Sequence, residues 1–259
     1  MDKDLSYKDQ KKRELEWWED KKKKKGLISK ILWSKLFYDP IRSHFSYTLA
    51  KNKLTNVIKH HLNNNRFEKT LIAPCGEGDD YKHLKDFSHE IYGIDLSPIC
   101  IENCPTNMIT KVGDISASEY EDKTFDLIVS TFFFHHLLKV GFNPFLKEFY
   151  RILKPGGKIV ILDFSVFYPL NALTRPLKIL FRNPMGEIEE EAPFRPKVMI
   201  TSLNQVGFQN LEFYGGTFSH CFFYIPLAKF IHFITKPLLN KWPFKIFAWT
   251  IIYWGEKPK

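Results

Sequence analysis

Lys69-Thr70-Leu71-Ile72-Ala73-Pro74-Cys75-Gly76-Glu77-Gly78-Asp79-Asp80, followed by Ile91-Tyr92-Gly93-Ile94-Asp95, is the stretch whose reading decides the fold. A short apolar run at 70–73 enters a loop with two glycines, and a second run at 91–94 ends in a carboxylate. Both runs read as buried strands, and residues 81–87 fit a helix between them. Two strands joined through a helix make a βαβ unit, the connection that a parallel sheet requires.

The alternation continues outward. Residues 108–112, 125–130 and 158–163 read as further strands, and 98–103 and 143–153 as helices. In the second helix Phe145, Leu146, Phe149, Ile152 and Leu153 fall at helical spacing, and Lys154-Pro155-Gly156-Gly157 then supplies turn chemistry that stops it. A shorter helix at 201–206, a sixth strand at 211–214 and a seventh at 250–254 complete an α/β pattern.

In such sheets ligands collect at the carboxyl ends of the strands, where strand order reverses. The loop 73–80 is that place, and its glycines let backbone approach a ligand. An isolated Gly-x-Gly is equally a plain strand-to-helix turn. Asp95 lies 17 positions beyond Gly78, near the roughly 20-residue separation of an acid that binds ribose hydroxyls. Gly113-Asp114-Ile115 places another carboxylate after the third strand, in reach of the exocyclic amine of a base. Each acid alone also fits a helix N-cap, Asp95 before Leu96-Ser97-Pro98 in particular. Together at successive strand ends they favour a bound nucleoside.

The chain has 259 residues, 44% hydrophobic and 16% aromatic, with a net charge of +9. That composition excludes wholesale disorder and collagen-like repeats and fits a multi-span membrane protein poorly. Residues 1–50 carry 13 basic and 8 acidic side chains, 51–165 carry 14 and 15, and 166–259 carry 11 and 6, so the basicity belongs to the flanks. Cys75, Cys100, Cys104 and Cys221 lack disulfide-framework or zinc spacing and read as reduced thiols, and no metal-ligand constellation stands out. Lys229, His232, Lys236 and Lys241 interrupt the most apolar region, so no bilayer-spanning run is expected; Met1-Asp2-Lys3-Asp4 predicts no secretory signal. A cytoplasmic protein, peripheral on the membrane, is the expectation.

Gly76-Glu77-Gly78, Tyr92-Gly93-Ile94-Asp95-Leu96-Ser97, Gly113-Asp114-Ile115, the run 125–130, Phe134-His135-His136-Leu137, and Glu148-x-x-Arg151-x-Leu153-Lys154-Pro155-Gly156-Gly157 resemble the class I S-adenosylmethionine-dependent methyltransferases, with the closest look to small-molecule and quinone or lipid methyltransferases. The resemblance covers residues 69–165. It implies a Rossmann-like seven-stranded sheet with helices on both faces and the last strand antiparallel. It also implies S-adenosylmethionine as cofactor: Ala73, Cys75, Gly76 and Gly78 would wrap its methionine part, Asp95 and Leu96 would meet the ribose, Asp114 and Ile115 would frame the adenine, and Ser130 and Thr131 would line the methyl-transfer side. The family's usual acid ahead of the glycine loop is missing, since those positions are Ile72 and Pro74. Its role would pass to Glu77, Asp79 or Asp80.

Displacement at a sulfonium gains most from positioning and needs a base only when the acceptor must lose a proton. His135 and His136, just after the fourth strand, are the candidate bases; Asp163 and Tyr168 are further ones. The alternative is that one histidine packs and the other hydrogen-bonds locally.

The charge pattern divides the chain into a basic helical extension, 1–50, and a methyltransferase domain, 51–259, with its core at 69–165, an acceptor-cap segment at 166–200 and an insertion at 216–245 before the last strand. Lys21 to Lys25 precede an amphipathic helix at 27–37. The insertion holds Phe218, Phe222, Phe223, Tyr224, Phe230, Phe233, Trp242 and Phe244, with Lys229, Lys236, Lys241 and Lys245 and no acid. These features predict a hydrophobic or lipid-like acceptor and docking on an anionic membrane surface; an aromatic lid over an apolar pocket is the alternative. A nucleic-acid methyltransferase would use +9 for phosphate contacts, but Ser130-Thr131-Phe132-Phe133 lacks the Asn/Asp-Pro-Pro-aromatic signature that amino-methylating enzymes of that kind show. A cofactor-binding protein without turnover is the remaining alternative.

Overall fold

The computed structural model describes residues 40–62, 66–172 and 192–259, together with Tyr7, Asp9, Lys11, Lys12, Leu15 and Glu16. The basic run at 21–25, the helix expected at 27–37 and the centre of the acceptor-cap segment, 173–191, lie outside the described residues.

The chain enters through a long helix, α1 (Pro40–His61), and then alternates: β1 (Phe67–Ile72), α2 (Tyr81–Leu84), β2 (Ser88–Asp95), α3 (Pro98–Glu102), β3 (Ile109–Val112), β4 (Phe125–Thr131), α4 (Asn143–Ile152), β5 (Leu153–Phe164), α5 (Pro196–Val206), β6 (Gln209–Thr217), α6 (Ile225–Thr235) and β7 (Thr250–Glu256). The strands form one sheet in the order β3-β2-β1-β4-β5-β7-β6. Pairing is parallel from β3 through β5, and β7 runs antiparallel to both β5 and β6. The seven-stranded α/β sheet with its last strand antiparallel is the fold that the sequence leads one to expect.

Side chains of successive strand residues point to opposite faces, and here both faces are covered. Along β7, Ile251 and Tyr253 enter the core on one face while Ile252 and Trp254 enter the core on the other. Ile159 and Ile161 of β5 share the first core; Val160 and Leu162 share the second. Helices α4 and α5 cover the first face through Phe145, Leu146, Phe149, Met199 and Leu203. Helix α1 covers the second with Ala50, Leu54, Val57 and Ile58, spaced so that they share one helical stripe. Burial of each larger side chain contributes about 1.5–3 kcal/mol.

Helix α1 passes through residues 50 and 51, where the charge balance changes. The sequence reading contains no helix there, because basic and polar residues between the apolar positions mask a stripe that only the sheet reveals. Helix α5 begins at Pro196, five residues before the expected start, with proline in its first turn as its missing N–H allows. The turn residues Lys154 to Gly157 end α4 as expected, yet they lie inside β5 as a bulge: Phe125 pairs with Leu153 and Leu127 with Lys158.

Glu148 and Arg151 of α4 tie down the chain after β3. Glu148 accepts from the Ser118 backbone N–H at 2.9 Å and hydroxyl at 2.6 Å. Arg151 clamps the same carboxylate through Nε at 2.9 Å and donates from Nη2 to the Tyr120 carbonyl at 2.7 Å. Burial alone would raise the Glu148 pKa, but the hydrogen bonds from Arg151 and Ser118 outweigh it and hold the carboxyl below its usual range. Its contribution to stability is therefore complete above the unfolded-state pKa of about 4.3 and disappears as pH falls through the lower folded value. Glu148→Ala is expected to cost about 2 kcal/mol in urea unfolding at neutral pH, and the gap to the parent chain should narrow progressively below about pH 4.

Candidate cofactor and acceptor site

Strand order reverses between β1 and β4, so a crevice opens at their carboxyl ends. The loop after β1 is pinned beneath it: Ala73 N–H donates to Val129 at 3.0 Å and Cys75 N–H to Ile94 at 3.0 Å. Gly76 (φ 51°) and Gly78 (φ 78°) both occupy the left-handed region, but for different reasons. A Cβ on Gly78 would meet Pro105 Cδ at 2.4 Å, so that glycine is required by packing. A Cβ on Gly76 would meet nothing within 4 Å, so open space lies beside its backbone.

Asp95 closes the base of the crevice. Its Oδ2 accepts from Gly76 N–H at 2.8 Å and its Oδ1 from Ser97 N–H at 3.0 Å. Burial raises its pKa, and the amides of Ser97, Gly76 and Leu96 oppose that shift. With three amides on a carboxylate of about four lone-pair sites, one remains for a ligand hydroxyl. The N-cap of α3 is Ser97, whose Oγ accepts from Cys100 N–H at 3.3 Å; Asp95 is free of that duty. Asp114, in contrast, does cap the turn Ile115–Ala117, with Ser116 N–H at 2.9 Å. Tyr7 Oη at 2.9 Å and Lys11 Nζ at 2.5 Å also reach it. Burial would raise the Asp114 pKa, but Lys11, Ser116 and Tyr7 together hold it below normal. The Ile115 side chain is buried in the core beside Ala73.

Ser130, at the end of β4, is fully buried, and its hydroxyl finds no hydrogen-bond partner among the described residues. The Thr131 hydroxyl instead donates to Asp80 Oδ2 at 2.6 Å, and the other oxygen of Asp80 pairs with Lys51 Nζ at 2.8 Å. Helix α1, the glycine loop and β4 are thereby joined through one carboxylate. Of the three acids that could replace the missing one, Asp80 is thus committed and Glu77 lies 3.4 Å from Asn103 Nδ2. Asp79 lines a cavity of about 210 Å³ with His44, Tyr47, Lys51, Lys82 and Phe132. Cys75 is buried with its Sγ 4.0 Å from that of Cys104; burial pushes its thiol pKa far up and so favours the protonated form.

The candidate bases follow β4. His135 Nδ1 lies 2.8 Å from Asp163 Oδ1, and the His135 N–H donates to Asp163 Oδ2 at 3.1 Å. An ionised carboxylate only accepts, so Nδ1 carries the proton and Nε2 is the basic nitrogen. The His136 ring centroid lies 4.0 Å from that of His135, the rings tilted; burial, then the neighbouring His135, pushes its pKa down to about 2. It is neutral and a poor proton acceptor. Tyr168 is buried, donates to the Phe218 carbonyl at 2.9 Å and has its pKa raised by burial.

Sequence reasoning missed an aromatic wall above these groups. Tyr47 of α1 meets Phe132 at 4.7 Å and Trp249 at 5.3 Å, and Phe164 meets Phe132 at 5.1 Å and Trp249 at 5.4 Å. Phe132 adopts φ 52°, unusual for a bulky residue and a mark of functional sites. Its backbone N–H bonds to Leu162 at 2.7 Å and holds it there. The four residues are scattered over two hundred positions, so no local pattern announces them.

Open space at Gly76, a free lone pair on Asp95 and the orphaned Ser130 hydroxyl are what a nucleoside-bearing cofactor requires of this crevice. Comparison with known proteins agrees. Residues 72–161 match a family described as a methyltransferase domain. Phosphoethanolamine N-methyltransferase 3 of Arabidopsis thaliana is 35% identical over 106 residues, 38% of this chain, and the chain spans only 21% of that relative's length. An uncharacterized methyltransferase of Bacillus cereus is 28% identical over 153 residues, covering 56% of this chain and 71% of that one. Among solved structures, a SAM-dependent methyltransferase from Thermotoga maritima superposes with a TM-score of 0.57 at 16% identity, over 82% of this chain and 91% of that one. Haemonchus contortus phosphoethanolamine N-methyltransferase 2, solved with S-adenosyl-L-methionine, gives 0.55 at 17% identity, over 80% of this chain and 53% of that one. Residues 72–161 thus match a methyltransferase domain, and the seven-stranded sheet has the fold of the S-adenosylmethionine-dependent methyltransferases.

Proposed function

We propose that this chain transfers a methyl group from S-adenosylmethionine to an apolar or lipid-like small molecule held at a membrane surface. The observation that carries this reading is the wall of Tyr47, Phe132, Phe164 and Trp249 at the carboxyl ends of β4 and β5, beside the cofactor crevice. An acceptor that reaches the methyl group must pass these rings, and apolar surface is what they bind well.

When bound, the cofactor supplies an electrophilic methyl group on a sulfonium. The chain's residues position it. Asp95 with the Leu96 backbone takes the ribose hydroxyls, Gly76 gives close backbone approach, and the Ser130 hydroxyl finds its partner on the ligand. Asp79, which lines the cavity with Lys51 and Lys82, matches the ammonium of the methionine part and fills the role that Ile72 and Pro74 cannot, while Lys82 suits its carboxylate. Asp114 and Ile115 stand at the adenine end, where Tyr7 and Lys11 cover the carboxylate. Where the acceptor must lose a proton, that proton passes to Nε2 of His135, held in the correct tautomer by Asp163.

A second reading is favoured by Lys51, Lys82 and His44 in the cavity, which also suit the phosphate of a phosphorylated amine. The phosphoethanolamine methyltransferases among its relatives, as named, act on such a compound. Incubation with methyl-labelled cofactor and fractionated cell extract separates the two. Label is expected in the organic-soluble fraction; label in water-soluble phosphorylated amines establishes the second reading, and label in RNA or protein overturns both.

Two sets of variants test the residue roles. By calorimetry, Asp79→Asn should weaken cofactor binding about tenfold, and an unchanged Kd would remove Asp79 from the site. His135→Ala should lower kcat by about a hundredfold or more with cofactor affinity unchanged, while His136→Ala stays near the parent rate. Full turnover by His135→Ala would mean that the acceptor is methylated without a base.

A further inference from the structure

Helix α6, in the insertion between β6 and β7, is inverted relative to an ordinary surface helix. At about 100° per residue, Leu227, Phe230, Phe233 and Ile234 share one arc, and Ala228 and His232 lie opposite. The small and polar side faces the protein: Ala228 is fully buried and His232 Nδ1 lies 3.3 Å from Thr217 Oγ1. The apolar side faces outward, with Phe230 60% and Phe233 78% exposed. Trp242, 70% exposed, and Phe244 extend the surface beyond the helix. A contiguous apolar patch of this kind marks an interaction site.

We infer that this face docks on an anionic lipid bilayer, and that the enzyme meets its acceptor there; the second clause rests on the function proposed above, the first does not. Charge identifies the occupant. No acidic residue occurs between Glu212 and Glu256, whereas Lys229, Lys236 and Lys241 are exposed within that stretch. Lys236 also lowers the pKa of Lys53, whose burial is the larger cause, so positive potential accumulates beside the patch. Aromatic rings with interspersed lysines and no acid fit lipid headgroups and acyl boundary better than a protein surface, which would require compensating polar groups at the rim. The helix has 11 residues, about 16 Å in length against a hydrocarbon core of about 30 Å. No helix among the described residues is long and apolar enough to cross a membrane, so α6 lies in the interface plane.

The patch is joined to the acceptor side by rings. His220, just before α6, has its ring centroid 4.6 Å from that of Phe222 and 5.1 Å from that of Trp249, both pairs tilted, and Trp249 belongs to the aromatic wall.

The test is flotation of the full chain, at physiological salt, with neutral phosphatidylcholine vesicles and with vesicles containing phosphatidylglycerol, alongside Trp fluorescence. Binding to the anionic vesicles with a blue shift is expected. Phe230→Ser and Phe233→Ser should each weaken it about tenfold; joint replacement of Lys229, Lys236 and Lys241 by Gln should remove the preference for anionic lipid. Cofactor affinity, measured by calorimetry, should be unchanged in every variant, which also reports that each is folded. Absence of flotation by the parent chain, or flotation indifferent to the phenylalanine changes, overturns the inference. So does a dimer in sizing experiments that these changes dissociate, since the face would then belong to a second copy. Flotation without label in any organic-soluble product would leave the docking face standing and remove the lipid-like acceptor.

Discussion

The carboxylate of Asp95 accepts from two backbone amides in different loops, Gly76 after β1 at 2.8 Å and Ser97 after β2 at 3.0 Å. That bridge sets the spacing between the two strand ends from which the crevice is built. Asp95 sits almost out of solvent, so leaving its charge unpaired would be costly, and the amides answer that cost while orienting the carboxylate. Gly76 serves the same arrangement from the other side, since its left-handed backbone turns the N–H toward Asp95 and leaves open space beside it.

A second carboxylate extends the frame. Asp80 receives the Thr131 hydroxyl and the Lys51 ammonium, and so locks α1 across the end of β4. Helix α1 thereby presents Tyr47 to Phe132 and Lys51 to the cavity. The aromatic wall, where we propose that the acceptor binds, is thus made by a helix that precedes the first strand, a residue with positive φ after β4, the end of β5 and the residue before β7. The same tertiary contacts that stabilise α1 shape the pocket.

Much of this was legible. The short apolar runs, at the right separations, reveal the strands β1 to β5, because buried parallel strands need continuous apolar runs and only the loops between them can carry polar groups. Gly76 and Gly78 look alike in the sequence, yet one has open space beside it and the other avoids Pro105, a residue 27 positions away. Thr131 looks like a lining residue, but its hydroxyl is taken by Asp80. His135 and His136 are adjacent and alike in the sequence; only the fold gives the Asp163 carboxylate to one of them, His135.

The sequence by itself determined the order of strands and helices from β1 onward to β5, the glycine loop, the acids at the strand ends and the concentration of lysine and aromatic residues between β6 and β7. These are local or periodic properties, written in neighbouring residues. The tertiary structure alone decided which side of α6 faces outward, which histidine has the carboxylate, and that Tyr47, Phe132, Phe164 and Trp249 share one wall. Those outcomes depend on contacts between positions tens to hundreds of residues apart, and no local pattern encodes a contact that forms only when the sheet brings its partners together.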